Sequence, residues 1–295
     1  MTTLACLGLG YAAAHYVATF GKRFDRVIGT TRGLRDSAQR PGRQDVEILA
    51  FDGATASPEL VARITQSDAL LISAPPGENG DPVLACLADA VARGRARAIV
   101  YLSTIGVYGD SGGAWVDEES PPKPGSKRSI ARLAAEEAWR RFGAGNGKAV
   151  AVLRLAGIYG PRRNALVALA EGTARRIVKP GQVFNRIHVT DIAQAIDACF
   201  AQGAAGVFNL ADDAPAPPQE VIAFAAQLMG KAPPPELPFD DARAAMSAMA
   251  QSFYAENRRV RNAKLKTALG VRLAYPTYRG GLRALFSARM VNGEW

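Results

Sequence analysis

The sequence predicts an α/β protein: a doubly wound parallel sheet with a smaller, mainly helical lobe towards the C-terminal end. Three observations predict this class. Short apolar runs alternate with helical patterns over the first two thirds of the chain, a glycine-rich turn follows the first run, and the last third is mostly helical in pattern. With 295 residues, 48% of them hydrophobic, the chain can bury a large core as one domain or as two closely joined ones.

The predicted strands are continuous apolar runs, the pattern of parallel strands that are buried on both faces. They are Leu4–Leu7, Arg26–Thr30, Val46–Phe51, Ala69–Ser73, Ala98–Leu102, Val150–Leu155 and Val207–Leu210. Between them, Ser57 and Asp81 each stand directly before a proline, and a capping side chain followed by proline is typical of a helix start. The alternation of strands with such helices indicates a parallel sheet.

Two proline-rich stretches, 120–124 and 214–218, interrupt this pattern, and the segment after the second is predicted to be helical. The predicted helices are Gln219–Met229, Asp240–Met249, Asn262–Leu269 and Arg279–Ala288. We expect them to pack against the sheet as a small lobe. Since ligands of α/β sheets bind beyond the carboxyl ends of the strands, this lobe would cover the binding site.

The composition excludes several classes of protein. No apolar run is long enough to span a membrane, and Leu4–Leu7 is too short for the core of a signal peptide. The three cysteines lack CxxC spacing, which predicts reduced thiols, and no cluster has the spacing of metal ligands. The net charge of +9 comes from scattered arginines, which favours a solvated basic surface over nucleic-acid binding. We therefore expect a cytoplasmic protein without a metal.

The glycine-rich turn runs from Gly8 to Ala13 and reads GxGxxA, directly after the first predicted strand. Gly8 permits the tight turn, Gly10 lets backbone approach a pyrophosphate, and Ala13 permits close packing of helix on strand. The helix N-terminus would face the phosphates, with Tyr11 and Ala12 beside the cofactor. Because a strand precedes the turn and a helix follows it, a Rossmann dinucleotide site is favoured over a merely structural turn.

The end of the second strand predicts which dinucleotide binds. A site for NAD expects an acid about twenty residues after the turn, but Thr31, Arg32 and Arg35 occupy that end here. Hydroxyl and guanidinium groups suit the additional phosphate of NADP. We therefore expect NADP(H) to be preferred over NAD(H); the alternative is that Arg32 is an ordinary surface arginine.

Two further segments are candidates for contacts with the adenosine half of the cofactor. Asp52 follows the third strand, where it either accepts from the adenine amino group or caps its own loop. Ser73, Ala74 and Pro75 follow the fourth strand and form either a floor under the adenosine ribose or an ordinary loop.

Several segments occur in an order typical of one family. Tyr101–Asp110 contains VYG and has Thr104 at a Ser/Thr position, Leu153–Pro161 reads RxxxxYGP, and Arg186–Ala193 with Val207–Leu210 complete the series. Together they resemble the short-chain dehydrogenase/reductase superfamily in its extended form, that of NAD(P)-dependent nucleotide-sugar epimerases and dehydratases. The resemblance implies a Rossmann dinucleotide-binding domain of 1–160, completed by about 186–212. The small substrate lobe would comprise 161–185 and 213–295.

The chain departs from this family at its catalytic helix. The YxxxK motif of the family falls on Arg128 and Arg132, and no Tyr with Lys four residues later occurs anywhere in the sequence. Arginine stays protonated and cannot act as a general acid near neutral pH. On one helix face the two arginines can hold an anionic substrate or the ribose and phosphate of the cofactor; the alternative is two solvated side chains.

The resemblance places Thr104 at the catalytic Ser/Thr position. Tyr108 is the nearby candidate for a substitute proton donor, although packing under its loop is the favoured role. His188 is more suited to orienting loops than to chemistry.

The sequence thus predicts an NADP(H)-binding, atypical member of this superfamily. If it is an enzyme, we expect an oxidoreductase or epimerase/dehydratase-like reaction on a sugar nucleotide or another phosphorylated small molecule, with little turnover of common alcohols, ketones or sugar nucleotides. The alternatives are a non-catalytic NADP(H) sensor and a basic protein associated with nucleic acid. The expected partner is an anionic small molecule rather than a membrane, and a homodimer is left open.

Overall fold

The structure is a computed structural model, which describes residues 1–33 and 46–292. The strands in these ranges are β1 Thr3–Leu7, β2 Arg26–Thr31, β3 Glu47–Ala50, β4 Ala69–Ile72, β5 Ala98–Thr104, β6 Trp115–Val116, β7 Ala149–Leu155, β8 Gly157–Tyr159, β9 Arg176–Val178, β10 Arg186–His188, β11 Gly206–Leu210, β12 Glu236–Pro238 and β13 Arg259–Val260. The helices are α1 Tyr11–Phe20, α2 Pro58–Gln66, α3 Pro82–Arg93, α4 Lys127–Asn146, α5 Ala165–Ala170, α6 Val189–Gln202, α7 Pro218–Leu228, α8 Phe239–Arg243, α9 Ala248–Tyr254, α10 Ala263–Ala268 and α11 Tyr278–Asn292.

A seven-stranded sheet forms the centre of the molecule, in the order β11-β7-β5-β4-β1-β2-β3. All its neighbouring strands run parallel. One face carries an apolar cluster shared with α1 and α6, and the other face a cluster shared with α2, α3 and α4. The doubly wound parallel sheet is therefore confirmed, and its strands are the seven that the apolar runs predict.

The predicted helix starts are also confirmed, because the capping side chains bond to free backbone donors of the first turn. Ser57 Oγ accepts from the backbone N–H of Leu60 at 3.1 Å and begins α2. Asp81 Oδ1 accepts from the N–H groups of Val83 and Leu84, both at 3.0 Å, and begins α3. Each cap satisfies donors that the helix itself leaves without a partner.

The C-terminal third packs as a smaller, mainly helical lobe around two further apolar clusters. The predicted single helix Asp240–Met249 is wrong, because α8 ends at Arg243 and α9 begins at Ala248. The physical reason is Ser247, whose Oγ accepts from the N–H of Ala250 at 3.2 Å and starts a new helix. The other three predicted helices correspond to α7, α10 and α11.

None of the helices in the ranges 1–33 and 46–292 is both long and apolar enough to cross a membrane.

Candidate active site

A cavity of about 710 Å³ opens where the sheet strands β1, β4, β5 and β7 reach their carboxyl ends. Tyr11 and Ala12 line it from the glycine turn, Ser73 from the end of β4, and Thr104 from the end of β5. The strand order reverses beside β1, since β2 lies on one side of it and β4 on the other. Such a reversal creates the crevice in which open α/β sheets bind their ligands.

The glycine turn has the geometry of a phosphate cradle. Gly8 has φ +91°, and a Cβ there would lie 2.7 Å from the backbone N of Ala74, so glycine is required. Gly10 caps α1, and a Cβ on it would have Ser73 Oγ, at 3.9 Å, as its nearest contact. The space before the first turn of α1 is therefore open, and the residues fit a dinucleotide pyrophosphate. Ala13 is fully buried against the sheet.

Thr31 and Arg32, which are predicted to select the cofactor, lie at the carboxyl end of β2, and Asp52, the candidate for the adenine contact, follows β3. Thr31 is buried and its hydroxyl donates to the backbone O of Gly33 at 2.9 Å, while Arg32 is exposed. Arg35 lies outside the described residues. Asp52 Oδ1 accepts backbone hydrogen bonds from Ala54 and Thr55 at 2.8 and 3.2 Å, which lower the pKa of its carboxyl. Asp52 thus caps its loop, and it is exposed.

The loop after β4 lies against the glycine turn. The backbone N–H groups of Ser73 and Ala74 both donate to the O of Leu7, at 2.9 and 2.8 Å. Pro75 follows at the surface. Of these three residues, Ser73 lines the cavity.

Hydroxyl groups cluster beside Gly106. Thr104 Oγ1 accepts from the N–H of Gly106 at 3.1 Å, and Ser126 Oγ donates to Ser129 Oγ at 2.9 Å. A Cβ on Gly106 would lie 3.0 Å from Ser129 Oγ and 3.3 Å from Thr104 Oγ1, so the two hydroxyls flank this glycine. Sequence reasoning missed Ser126 and Ser129; the signal was a capping serine directly before a helical pattern.

The two arginines at the YxxxK positions both line the cavity. Arg132 Nη1 donates to Tyr101 Oη at 3.1 Å and to the backbone O of Leu102 at 2.9 Å. These bonds hold its guanidinium against the end of β5. Arg128 is exposed, and its guanidinium carbon lies 5.7 Å from the ring centroid of Phe253.

Tyr108 lies in the core and does not line the cavity. Its hydroxyl donates to Asn209 Oδ1 at 2.8 Å, and the Arg154 guanidinium lies 4.8 Å from its ring centroid. Burial raises the pKa of Tyr108. Its surroundings correspond to the packing role rather than to that of a proton donor.

Three arginines that the sequence analysis did not single out also line the cavity: Arg163, Arg186 and Arg258. Arg186 Nη1 donates to the backbone O atoms of Phe184 and Ala216, and burial lowers its pKa. Arg258 pairs with Glu256 at 2.7 Å. Because these residues come from distant segments, no local pattern could have found them.

His188 lies behind this cavity rather than in its lining. Its Nδ1 accepts from the backbone N–H of Thr190 at 3.2 Å, and its ring contacts those of Tyr159 and Tyr275. Burial lowers its pKa to about 4. In the part of the chain that the structure describes, no group of three or more His, Cys, Asp or Glu could hold a metal ion.

Comparison with protein families matches residues 83–211 to the NAD dependent epimerase/dehydratase family. Among individual proteins, the 3-diazoavenalumate denitrifying reductase of a Streptomyces species is 27% identical over 257 residues, which cover 81% of this chain and 83% of that protein.

Solved structures resemble the whole chain. A functionally unknown conserved protein from Silicibacter pomeroyi is 44% identical, with a TM-score of 0.86 over 98% of this chain and 99% of that one. The UDP-N-acetylglucosamine 4-epimerase of Bacillus cereus is 17% identical and has a TM-score of 0.73, over 98% of this chain and 100% of that one. The second likeness is one of fold.

Proposed function

Since the chain belongs to the NAD dependent epimerase/dehydratase family, we propose that it is an NADP(H)-dependent oxidoreductase of the extended short-chain dehydrogenase/reductase type, acting on a small anionic molecule. One observation carries the proposal: a single cavity joins the glycine turn to Thr104, Arg128 and Arg132. A cofactor on the turn and a substrate at Thr104 would therefore meet in one cavity.

The glycine turn would hold the pyrophosphate, because the space in front of Gly10 is open and the N-terminus of α1 faces it. The bound cofactor supplies a hydride donor or acceptor at its nicotinamide ring. Preference for NADP(H) is supported by exposed Arg32 at the end of β2, where a guanidinium can pair with the additional phosphate. Arg132 is held at the end of β5, where it can donate to ribose hydroxyls.

Thr104 would bind the reacting group of the substrate. Its Oγ1 already accepts a hydrogen bond from the N–H of Gly106, so its own proton is free to be donated to a substrate oxygen. Ser129, supported by the hydroxyl of Ser126, stands on the other side of Gly106. We propose that Ser129 and Thr104 pass a proton from water to the substrate, because the tyrosine that the family motif provides is absent.

This arrangement predicts which substrates the protein reduces. A general acid typically accelerates proton transfer about 10²–10⁴-fold, and hydroxyl groups that do not titrate near pH 7 supply less. Common ketones and sugar nucleotides should therefore turn over slowly. A substrate that accepts a hydride without strong acid assistance should turn over well.

The test is a screen for substrate-dependent oxidation of NADPH, followed through its absorbance, with Thr104→Val, Ser129→Ala and the control Thr267→Val. Thr267 lies exposed on α10, outside the cavity lining. We expect Thr104→Val to lower kcat about tenfold, less than the loss of a titrating general acid would, with NADPH affinity unchanged, and Thr267→Val to have no effect. Full turnover in both Thr104→Val and Ser129→Ala would contradict the assigned roles.

A non-catalytic NADP(H) sensor is the second candidate, favoured by the arginines in place of the tyrosine and lysine of the family motif. Tight NADPH binding without turnover of any substrate in the screen, together with a partner whose affinity depends on the cofactor, would favour the sensor over the oxidoreductase.

A further inference from the structure

The wall of the cavity beyond Arg128 is aromatic. Phe253 and Tyr254 come from α9, and Phe184 lies just before β10; together they form what we term the aromatic wall. The rings of Phe184 and Tyr254 meet edge to face at 5.1 Å between centroids, and Phe239 stacks on Tyr254 at 4.9 Å. Tyr254 is thus held by contacts with two other rings. Phe253 is 50% exposed although it lines the cavity.

The charge of the same cavity is positive. Among the described residues, its lining contains a single carboxylate, that of Glu256, and five arginines: Arg128, Arg132, Arg163, Arg186 and Arg258. Glu256 is already paired with Arg258. Arg128 stands in the first turn of α4 with its guanidinium beside the Phe253 ring, and the next residue, Ser129, carries the hydroxyl that flanks Gly106. A cation and an exposed ring therefore lie together close to the reacting position.

We propose that this site takes a small planar aromatic carboxylate, with its ring against the aromatic wall and its carboxylate on Arg128. The inference rests on the proposed function, because it names the molecule whose reducible bond would lie beside Thr104. A guanidinium binds a carboxylate through two parallel hydrogen bonds, and a planar ring packs well against Phe253.

The same wall disfavours a nucleotide sugar at the reacting position. Within the wall only Tyr254 carries a hydroxyl; Phe184 and Phe253 offer no hydrogen-bonding group, so sugar hydroxyls placed against these two rings would lose their bonds to water without replacement. A conjugated aromatic acid has no such hydroxyls to satisfy. Aromatic packing and charge complementarity thus point to the same class of ligand.

The test is calorimetric titration of the full chain with cinnamate, a planar aryl carboxylate, and with cinnamamide, its neutral match. UDP-glucose is titrated in parallel, and all titrations are run with and without NADP⁺. We expect cinnamate to bind about tenfold more tightly than cinnamamide, which is the effect of one charge-assisted contact. UDP-glucose should bind more weakly than cinnamate.

Three variants separate the contribution of the Arg128 charge to cinnamate binding from that of the Phe253 ring. Arg128→Gln should abolish the preference for cinnamate over cinnamamide, while Phe253→Leu should weaken both ligands by a similar factor. Arg140→Gln is the matched control, because Arg140 is exposed on the same helix but does not line the cavity, and it should change neither affinity. Circular dichroism checks that each variant is folded.

Tighter binding of UDP-glucose than of cinnamate, or a cinnamate affinity that survives Arg128→Gln unchanged, would overturn the proposal. The outcome is separable from that of the proposed function, since binding is measured without turnover. Cinnamate binding without any NADPH oxidation would support the ligand class and count against the oxidoreductase. NADPH oxidation with another substrate, without cinnamate binding, would overturn the ligand class alone.

Discussion

At the scale of single residues, Gly8 is required by the fold itself, whereas Gly10 is required only by the proposed cofactor site. Gly8 is needed by the protein itself, because its backbone conformation and the nearby N of Ala74 leave no room for a side chain. Gly10 has room around it within the protein, so a side chain there would occupy the space that a pyrophosphate needs.

The first prediction follows from this difference. Gly10→Val should abolish NADPH binding while the melting temperature changes little, whereas Gly8→Ala should lower the melting temperature by several degrees through strain and contact with Ala74. Calorimetric titration and thermal unfolding of both variants provide the test. If Gly10→Val binds NADPH normally, the phosphate cradle lies elsewhere.

The second prediction concerns Arg32, which is exposed at the end of β2. Arg32→Ala should weaken NADPH binding about tenfold, the effect of one charge-assisted contact of about 1.4 kcal/mol, and leave NADH binding unchanged. The control is Arg140→Ala, which removes an exposed arginine elsewhere. An equal affinity of the unmodified protein for NADPH and NADH would contradict the cofactor preference.

At the scale of elements, α4 is joined to the sheet by a buried ion pair. Glu136 on α4 and Arg154 on β7 are almost wholly buried, with 2.8 Å between Glu136 Oε2 and Arg154 Nη2. Ser103 on β5 donates its hydroxyl to the same carboxylate. These contacts set the position of the helix that carries Arg128, Ser129 and Arg132, so the site depends on a pair that does not itself line the cavity.

The third prediction is that Glu136→Gln lowers the free energy of unfolding by about 3–5 kcal/mol, because it leaves the Arg154 charge buried without a counter-charge. Glu137→Gln is a matched control at the next position, where the exposed pair with Arg141 at 3.9 Å contributes less than about 1 kcal/mol. Urea denaturation measures both. Similar losses of unfolding free energy in Glu136→Gln and Glu137→Gln would show that the buried pair contributes no more stability than the exposed one.

At the scale of the whole molecule, buried carboxyls couple stability to pH. Burial raises the pKa of Asp212 to about 7 and that of Asp191 to about 6. Arg186 opposes the rise in the Asp212 pKa, while Asp213 and Asp191 add to it. Asp212 Oδ1 accepts from the backbone N–H of Ala214, and its Oδ2 is buried without a hydrogen-bond partner among residues 1–33 and 46–292. The folded state therefore holds the Asp212 proton more tightly than the unfolded chain does.

The sign of the effect follows from linkage. A carboxyl whose pKa is raised on folding stabilises the protein fully below its unfolded pKa, near 4, and this contribution is lost as the pH rises towards 7. His188 acts in the opposite direction, since its lowered pKa costs stability as the pH falls from about 6.5 to about 4. The contributions of Asp212 and His188 to stability overlap between about pH 4 and pH 6.5. They can be separated only by comparing the stability of a variant at one of these residues with that of the unmodified protein.

The fourth prediction is that Asp212→Asn, which mimics the protonated carboxyl, gains stability relative to the unmodified protein as the pH rises from 4 to 8. The expected gain is on the order of 1.4 kcal/mol for each pH unit by which burial raises the Asp212 pKa. Thermal unfolding across this pH range measures it, and Asp89→Asn on the exposed side of α3 controls for the loss of one charge. If the difference in stability between Asp212→Asn and the unmodified protein stays constant across this pH range, the pKa of Asp212 is not raised.

Features that depend on neighbours along the chain were predictable from the sequence. Buried parallel strands need unbroken apolar runs, helix starts need side chains that accept from free N–H groups, and the first glycine of the turn needs a positive φ. These local requirements predicted the seven strands of the sheet, the caps at Ser57 and Asp81, and the turn at Gly8. The replacement of the YxxxK motif by Arg128 and Arg132 was equally visible.

Which side chains meet depends on packing between distant segments, and it became visible in the folded chain. Tyr108 lies in the core rather than in the cavity. Its partner there, Asn209, is about a hundred positions away in the sequence. The fold brings Arg163, Arg186 and Phe253 from separate segments to the same cavity as Thr104. The physical reason is that local periodicity records how a residue fits its own element, whereas a site is formed by packing between elements, and a single sequence carries no direct record of that packing.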